Sequence, residues 1–346
     1  MHVSMPTGRT HGWGVAGEYL SREIGKLQLI DSVTLHCIRG YGFQPFDPAR
    51  WNRINIGYCF FEDNIEILRY TREVARLWDF VVAGSTWCEY NLKIGGVRNT
   101  STILQGIDPT IFFPVEDTRS DEAFVVFSGG KFELRKSQDI VIAAMKVFME
   151  RHRDVVLSCA WYNQWPFSLE TMTLSKLITY SHEDIDCMEL LAKTLAANGI
   201  PLERVRLYPA VDNRVMRSVY LQTDVGLFPN RCEGGNNMVM CEYMACGKTV
   251  IASDMTGHAD VITAENAFPL TRYNPYYYKY HGSGVWMEPD VEEVIELLEA
   301  AYRHRALLPE KGRRAAEDMK KLSWEAAARG FYRIARDLAV NGSEGV

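Results

Sequence analysis

Short runs of β-branched and aromatic residues alternate with longer stretches of helical period through the second half of the chain. Phe124–Ser128 precedes a helical stretch from Gln138 to His152, and Asp154–Ser158, after a long insertion, precedes one from Met188 to Asn198. Val205–Tyr208 leads to Asn213–Leu221, Asp224–Phe228 to Asn237–Ala245, and Thr249–Ala252 to His258–Ala264; a last helical stretch covers Val291–Leu307. Such alternation implies right-handed βαβ crossovers and a parallel, doubly wound sheet. The first half repeats the rhythm less distinctly. Its candidate strands are His2–Met5, Val33–His36, Ile54–Tyr58, Phe80–Ala83 and Ser101–Leu104, with helices near Gly17–Leu27 and Ile65–Trp78. The polar stretch Val115–Glu122 reads as a linker. The pattern therefore predicts an α/β chain of two Rossmann-like domains, 1–116 and 117–324, with a final helix over 325–340 packing back onto the first. Two such domains facing each other leave a cleft at the carboxyl ends of their strands, where ligands bind in these folds.

Composition narrows the class. The 346 residues suit two domains of roughly 150 residues each, and 47% apolar with 24% charged residues is an ordinary globular mix. The net charge of −6 disfavours nucleic acid as a partner. Eight irregularly spaced cysteines without a C-x-x-C pair read as buried thiols rather than a disulfide frame. The N-terminus shows no signal-peptide pattern, and no apolar run reaches the roughly eighteen residues that cross a bilayer. A cytoplasmic protein without a transmembrane segment is expected.

Two segments carry chemistry. Asn230–Gly247 follows the strand ending at Phe228. Gly234 and Gly235 remove side chains at its turn, and the next helix aims free N–H groups there, a site suited to a phosphate or a sugar hydroxyl. Glu233 stands at the mouth of this loop, whereas Glu242 lies in an otherwise apolar helix and needs a partner. Asn236 and Asn237 fit either ligand contacts or a helix cap. The other segment, Ser128–Asp139, also follows a strand and brings Lys131, Arg135 and Lys136 together, a charge set that suits a departing diphosphate.

Together these residues resemble the retaining, nucleotide-sugar-dependent glycosyltransferases of the GT-B fold, in the large family 4 group. Gly130–Ser137 is similar to that family's G-R-L-x-x-x-K-G, with Lys136 in the lysine place, Lys131 where arginine is usual and Ser137 where glycine is usual. Glu233 and Glu242 resemble its E-x7-E pair with one extra residue between them, and Tyr243–Ser253 resembles the segment that follows. Gln105–Pro114 is similar to N-G-V-D-x-x-x-F-x-P, and Thr256–Asp260 to G-G-x-P-E.

The resemblance implies an enzyme of hexosyltransferase type that moves a sugar from a nucleotide-diphosphate donor to an acceptor hydroxyl with retention. No metal and no further cofactor would be needed. It implies catalytic roles for Glu233, Lys131 and Lys136. Donor binding would fall to Gly130, to Glu242 on the ribose, to Gly234, Gly235, Asn236 and Asn237 on the sugar, and to the backbone at Ala210 and Val211 beside the base. Gly12, Gly14 and Gly17 fit the family's first-domain glycine turn, Gly14 touching the phosphates; a flexible loop before a helix is the competing reading. His11 and Trp13 would lie on the acceptor side. Two alternatives stand beside this function: a nucleotide-sugar-binding protein of the same fold without turnover, and a phosphorylase or epimerase built on it. Asp184 and Asp186 spell D-x-D, but acids at a helix start are favoured by the dipole alone, so no metal site is read there. Tyr273–Tyr280 reads as a surface loop or a stacking platform.

Overall fold

The computed structural model describes residues 1–39, 42–65, 68, 71, 75–115, 123–277 and 284–341. The first sheet comprises β1 (His2–Ser4), β2 (Val33–Arg39), β4 (Ile54–Cys59), β5 (Phe80–Ala83) and β6 (Thr100–Thr102), parallel and in that spatial order, with β3 (Gln44–Pro45) antiparallel on β2. Alternate residues of its strands enter two cores. Leu35, Ile56 and Val82 meet α1 (Gly12–Ile24) on one face, and Ile38, Cys59 and Val81 meet α2 (Thr86–Ile94) on the other. This two-sided burial explains why the strands are apolar runs rather than alternating ones.

The second sheet comprises β7 (Phe124–Gly129), β8 (Val155–Ala160), β9 (Val205–Leu207), β10 (Val225–Phe228), β11 (Thr249–Ser253) and β12 (Phe268–Leu270), in the order β12-β11-β10-β7-β8-β9. The chain winds outward from β7 to β9, then restarts at β10 on β7's other side. The crevice between β7 and β10 is thus the switch point at which ligands bind in doubly wound sheets. Helices α3 (Gln138–Arg151), α4 (Pro166–Glu170), α5 (Cys187–Ala197), α6 (Met216–Tyr220), α7 (Met238–Ala245), α8 (Val291–Arg303) and α9 (Leu308–Met319) surround it. Asp186 caps α5 by accepting from Met188 N (2.8 Å) and Glu189 N (3.3 Å), a structural use for the second acid of the D-x-D.

The last helix, α10 (Trp324–Asn341), lies on the first domain. Trp324 stacks on Tyr19 with ring centroids 5.4 Å apart, and Phe331 enters the same core. The two places where the chain crosses between domains are tied together, Ile107 N donating to Leu322 O at 2.8 Å. Gly106 packs there on the Ser323–Trp324 backbone, with no room for a side chain.

Several elements differ from the sequence pattern. Helix α1 starts at Gly12 rather than Gly17, so the glycines of Thr10–Glu18 form neither a turn nor a flexible loop but the first turns of a helix. Gly17 is required where α1 crosses the Pro6 backbone. The stretch 258–264 is a 3-10 turn over Thr256–Asp260, pinned where Gly257 packs against the backbone of Gly235 and Glu233. The aromatic run starting at Tyr273 is β13 (Tyr273–Tyr277), paired with β14 (Val285–Pro289), and its continuation at 278–280 lies outside the described residues. So does most of the linker (116–122) and much of the helix expected at Ile65–Trp78, whose end is a 3-10 turn over Ala75–Leu77. All eight cysteines are free and buried, and burial pushes the thiols of Cys37 and Cys88 up to about 12. Among the described residues no helix is long and apolar enough to cross a membrane.

Candidate active site

After β7 the chain turns at Gly130, whose φ of +116° suits only glycine; a Cβ there would press on Lys136 Cδ at 2.8 Å. Ser137 is left-handed as well, at φ +60°, which accounts for the glycine usual at that place. Its Oγ accepts from Arg231 N at 3.0 Å, so the serine links the β7 loop to the β10 loop. Below them Arg231, fully buried, pairs with Asp139 and Glu288, each at 2.7 Å, and braces both loops from beneath.

Above this brace lies an ion network. Lys136, largely shielded from water, pairs with Glu233, and Arg135 reaches Glu133 (2.6 Å), Glu233 (3.0 Å) and, across the domain boundary, Glu62 (3.6 Å). Lys131 stands 3.2 Å from Glu133 and over the Trp165 ring. Burial alone would raise the Glu233 carboxyl, but Lys136 and Arg135 outweigh it and hold the group far below its usual range. Glu133 is drawn to about 2 in the same way: burial opposes ionisation, and Arg135, Lys131 and Lys136 prevail. Lys136 is lowered, chiefly by burial and with Arg135 adding repulsion.

Glu242 lies on α7 in different company. It accepts from Asn213 Nδ2 at 2.6 Å and from Tyr220 OH at 3.2 Å, both neutral donors. Burial pushes its carboxyl up to about 8, and the two hydrogen bonds offset this only in part. Asn237, left-handed at φ +54°, caps α7 through Met240 N and donates to His258 Nε2 at 3.1 Å. His258, buried and desolvated, falls to about 4.

A cleft of about 480 Å³ joins these groups. It is lined by Gly130, Lys131, Lys136, Glu233, Gly235, Asn237, Glu242, Ala210 and Val211 from the second domain and by His11 and Trp13 from the first. Three expected residues stand behind the lining. Gly14 lies under the His11 ring; Gly234 is pressed on the Phe61 backbone and its carbonyl accepts from Ser85 Oγ at 2.8 Å. Asn236 is fully buried and grips the first domain, its amide donating to Gln105 O (3.0 Å) and accepting from Gln105 N (3.1 Å). Gly234 and Asn236 thus hold the two domains together and Gly14 makes room for the His11 ring, and none of the three lines the cleft where ligand contacts were expected of them. Sequence reasoning missed Asn213, Tyr220, Glu133 and Glu62. The spacing of seven between Asn213 and Tyr220, one helix face, was the available signal; nothing local marks Glu62.

Residues 176–276 match the sequence profile of the family "Glycosyl transferases group 1". The fold is shared with sucrose-phosphate synthase from Thermosynechococcus elongatus (TM-score 0.68, 17% identity, 95% of this chain and 79% of that one). It is shared with HepE from Anabaena in complex with UDP and glucose (0.60, 15%, 83% and 72%). A glycosyltransferase from Rickettsia africae is similar over 98% of this chain and 85% of its own (0.63, 13%). Among curated proteins none matches the sequence. The chain has the GT-B fold, and its resemblance to group 1 glycosyltransferases extends from the motifs to the family profile and the architecture.

Proposed function

We propose that the protein transfers a glycosyl unit from a nucleotide-diphosphate sugar to an acceptor hydroxyl with retention and without a metal. One observation carries the reading. The β7–β10 switch point gathers Lys131, Lys136, Glu233 and Glu242 into a single cleft roofed by the first domain. UDP and glucose in the similarly folded HepE support a nucleotide sugar as donor.

In this reading the diphosphate lies between the Gly130 turn and the start of α7, whose first N–H groups have no partner within the helix. As the glycosidic bond breaks, negative charge grows on the leaving diphosphate and positive charge on the sugar ring. Lys131 and Lys136 stabilise the former. Lys136 is the pivot: in turning from Glu233 to the phosphate it leaves a Glu233 oxygen for the sugar's hydroxyls. Glu242 takes the ribose, with Ala210 and Val211 beside the base and His11 and Trp13 toward the acceptor. A phosphate oxygen accepts the acceptor's proton, so the protein supplies positioning and charge rather than a base.

The test is a melting-point screen with UDP, GDP, ADP and dTDP, since a ligand that binds only the native state raises its melting temperature. The sugars of whichever binds are then supplied with hydroxyl acceptors. Acceptor-dependent diphosphate release, insensitive to EDTA and giving product of unchanged anomeric configuration, is the expected result. Release with water or phosphate alone would favour an epimerase or phosphorylase, and nucleotide binding without donor consumption would favour a protein that binds without turnover.

A further inference from the structure

Asn213 belongs to none of the recognised motifs, yet it occupies a decisive place in the cleft. Its residue is 8% exposed, and its Nδ2 donates to Glu242 Oε1 at 2.6 Å. Its Oδ1 is buried and takes no hydrogen bond. A buried acceptor left without a donor is costly, and this one belongs to a side chain on the cleft wall, beside Val211 and Glu242. The position is fixed from both domains. Asp212 accepts from Arg214 N at 2.9 Å, setting the turn that carries Asn213, and Asn213 N donates to Arg9 O of the first domain at 2.9 Å. Arg9 in turn pairs with Glu18 of α1.

Resting on the nucleotide-sugar reading above, we infer that Asn213 is a positioning residue that selects a ribonucleoside over a deoxyribonucleoside. One end of its amide orients the Glu242 carboxylate, and the other offers a second acceptor. Two adjacent acceptors match the two donors of a cis-diol. A sugar lacking one of those hydroxyls leaves a buried oxygen unpaired, and a site built to bond a hydroxyl rejects the analogue that lacks it. The donor class is then UDP-, GDP- or ADP-linked, and dTDP-linked sugars are poor donors.

Calorimetric affinities are to be measured for UDP, GDP and ADP, and for the 2′-deoxy and 3′-deoxy forms of whichever binds. The proteins are the full chain, Asn213→Ala and Asn213→Leu, the latter keeping the volume. The backbone tie to Arg9 survives both substitutions, and melting temperature reports on the fold. The wild type is expected to favour the ribo form about tenfold over at least one deoxy form, and each variant to lose at least about threefold of that preference. Inorganic pyrophosphate, which has no ribose, is expected to bind all three alike. Equal binding of ribo and deoxy forms to the wild type, or an undiminished preference in both variants, overturns the inference. If dTDP alone binds, this inference fails and the glycosyltransferase reading stands; if none of UDP, GDP, ADP and dTDP binds the folded wild type, both fail.

Discussion

Glu233 and Glu242 stand on one loop-and-helix segment and are equally hidden from water, at 5% and 4% exposure, yet their surroundings act in opposite senses. Around Glu233 the protein has arranged Lys136 and Arg135; around Glu242 the described residues offer an amide and a phenol. The first carboxyl is held ionised and the second is pushed up to about 8. Burial by itself therefore decides nothing about a carboxylate. In the proposed reaction a group locked into an ion network would shape charge around the sugar, and one held by neutral donors keeps acceptor capacity for incoming hydroxyls.

The comparison breaks most visibly at Glu233. Glu233→Gln leaves the largely shielded Lys136 short of a counter-charge and takes one of three from Arg135, so denaturant unfolding is expected to show a loss of about 3 kcal/mol. A loss below that of Glu242→Gln would mean that the network is decorative. Next in size, Lys136→Ala and Glu242→Ala are each expected to weaken nucleotide binding about tenfold, the cost of one charged hydrogen bond. Unchanged affinity in both would remove the site assignment.

A pH series sharpens the contrast by sign. The folded Glu242 keeps a proton that the unfolded chain has released, so its contribution to stability falls as pH climbs from about 4.5 to about 8. The folded Glu233 has its carboxyl lowered, so its contribution is present above the ordinary value of 4.5 and is lost as pH falls through and below it. Profiles of melting temperature against pH should therefore flatten between about pH 4.5 and 8 in Glu242→Gln and below about pH 4.5 in Glu233→Gln; superimposable profiles would refute the distinction. The smallest effect is a control outside the cleft: Asp186→Ala should cost about 1 kcal/mol through its lost cap and leave nucleotide affinity untouched.

The parts of this molecule legible in its sequence are those governed by neighbours along the chain. The strand-to-turn junctions at Gly130 and Glu233, and the need of Glu242 for partners, follow from local pattern. What escaped depends on contacts between segments far apart in sequence. Gly234 and Asn236 carry the composition of a ligand loop, but the backbones of Phe61 and Gln105 claim them. Asn213 and Tyr220 meet Glu242 only after β10 and α7 have folded past them. The turn Gly234–Asn237 between the two glutamates forms this seam, with Gly234 and Asn236 facing the first domain and Gly235 and Asn237 lining the cleft. The glycines of α1 are a different case, since Gly14 and Gly17 answer to the nearby His11 ring and Pro6 backbone through the way the chain enters the helix.

The eight sheltered thiols have a practical consequence. Cys37, Cys59 and Cys88 belong to the first domain and the other five to the second, and desolvation keeps each of them in its unreactive protonated form. An alkylating reagent therefore marks a cysteine only when its surroundings breathe open. Cys37 and Cys59 time the opening of one lobe, and Cys159 and Cys187 that of the other. Cys88 and Cys232, hydrogen-bonded across the boundary to Gly234 and Glu62, time the parting of the two.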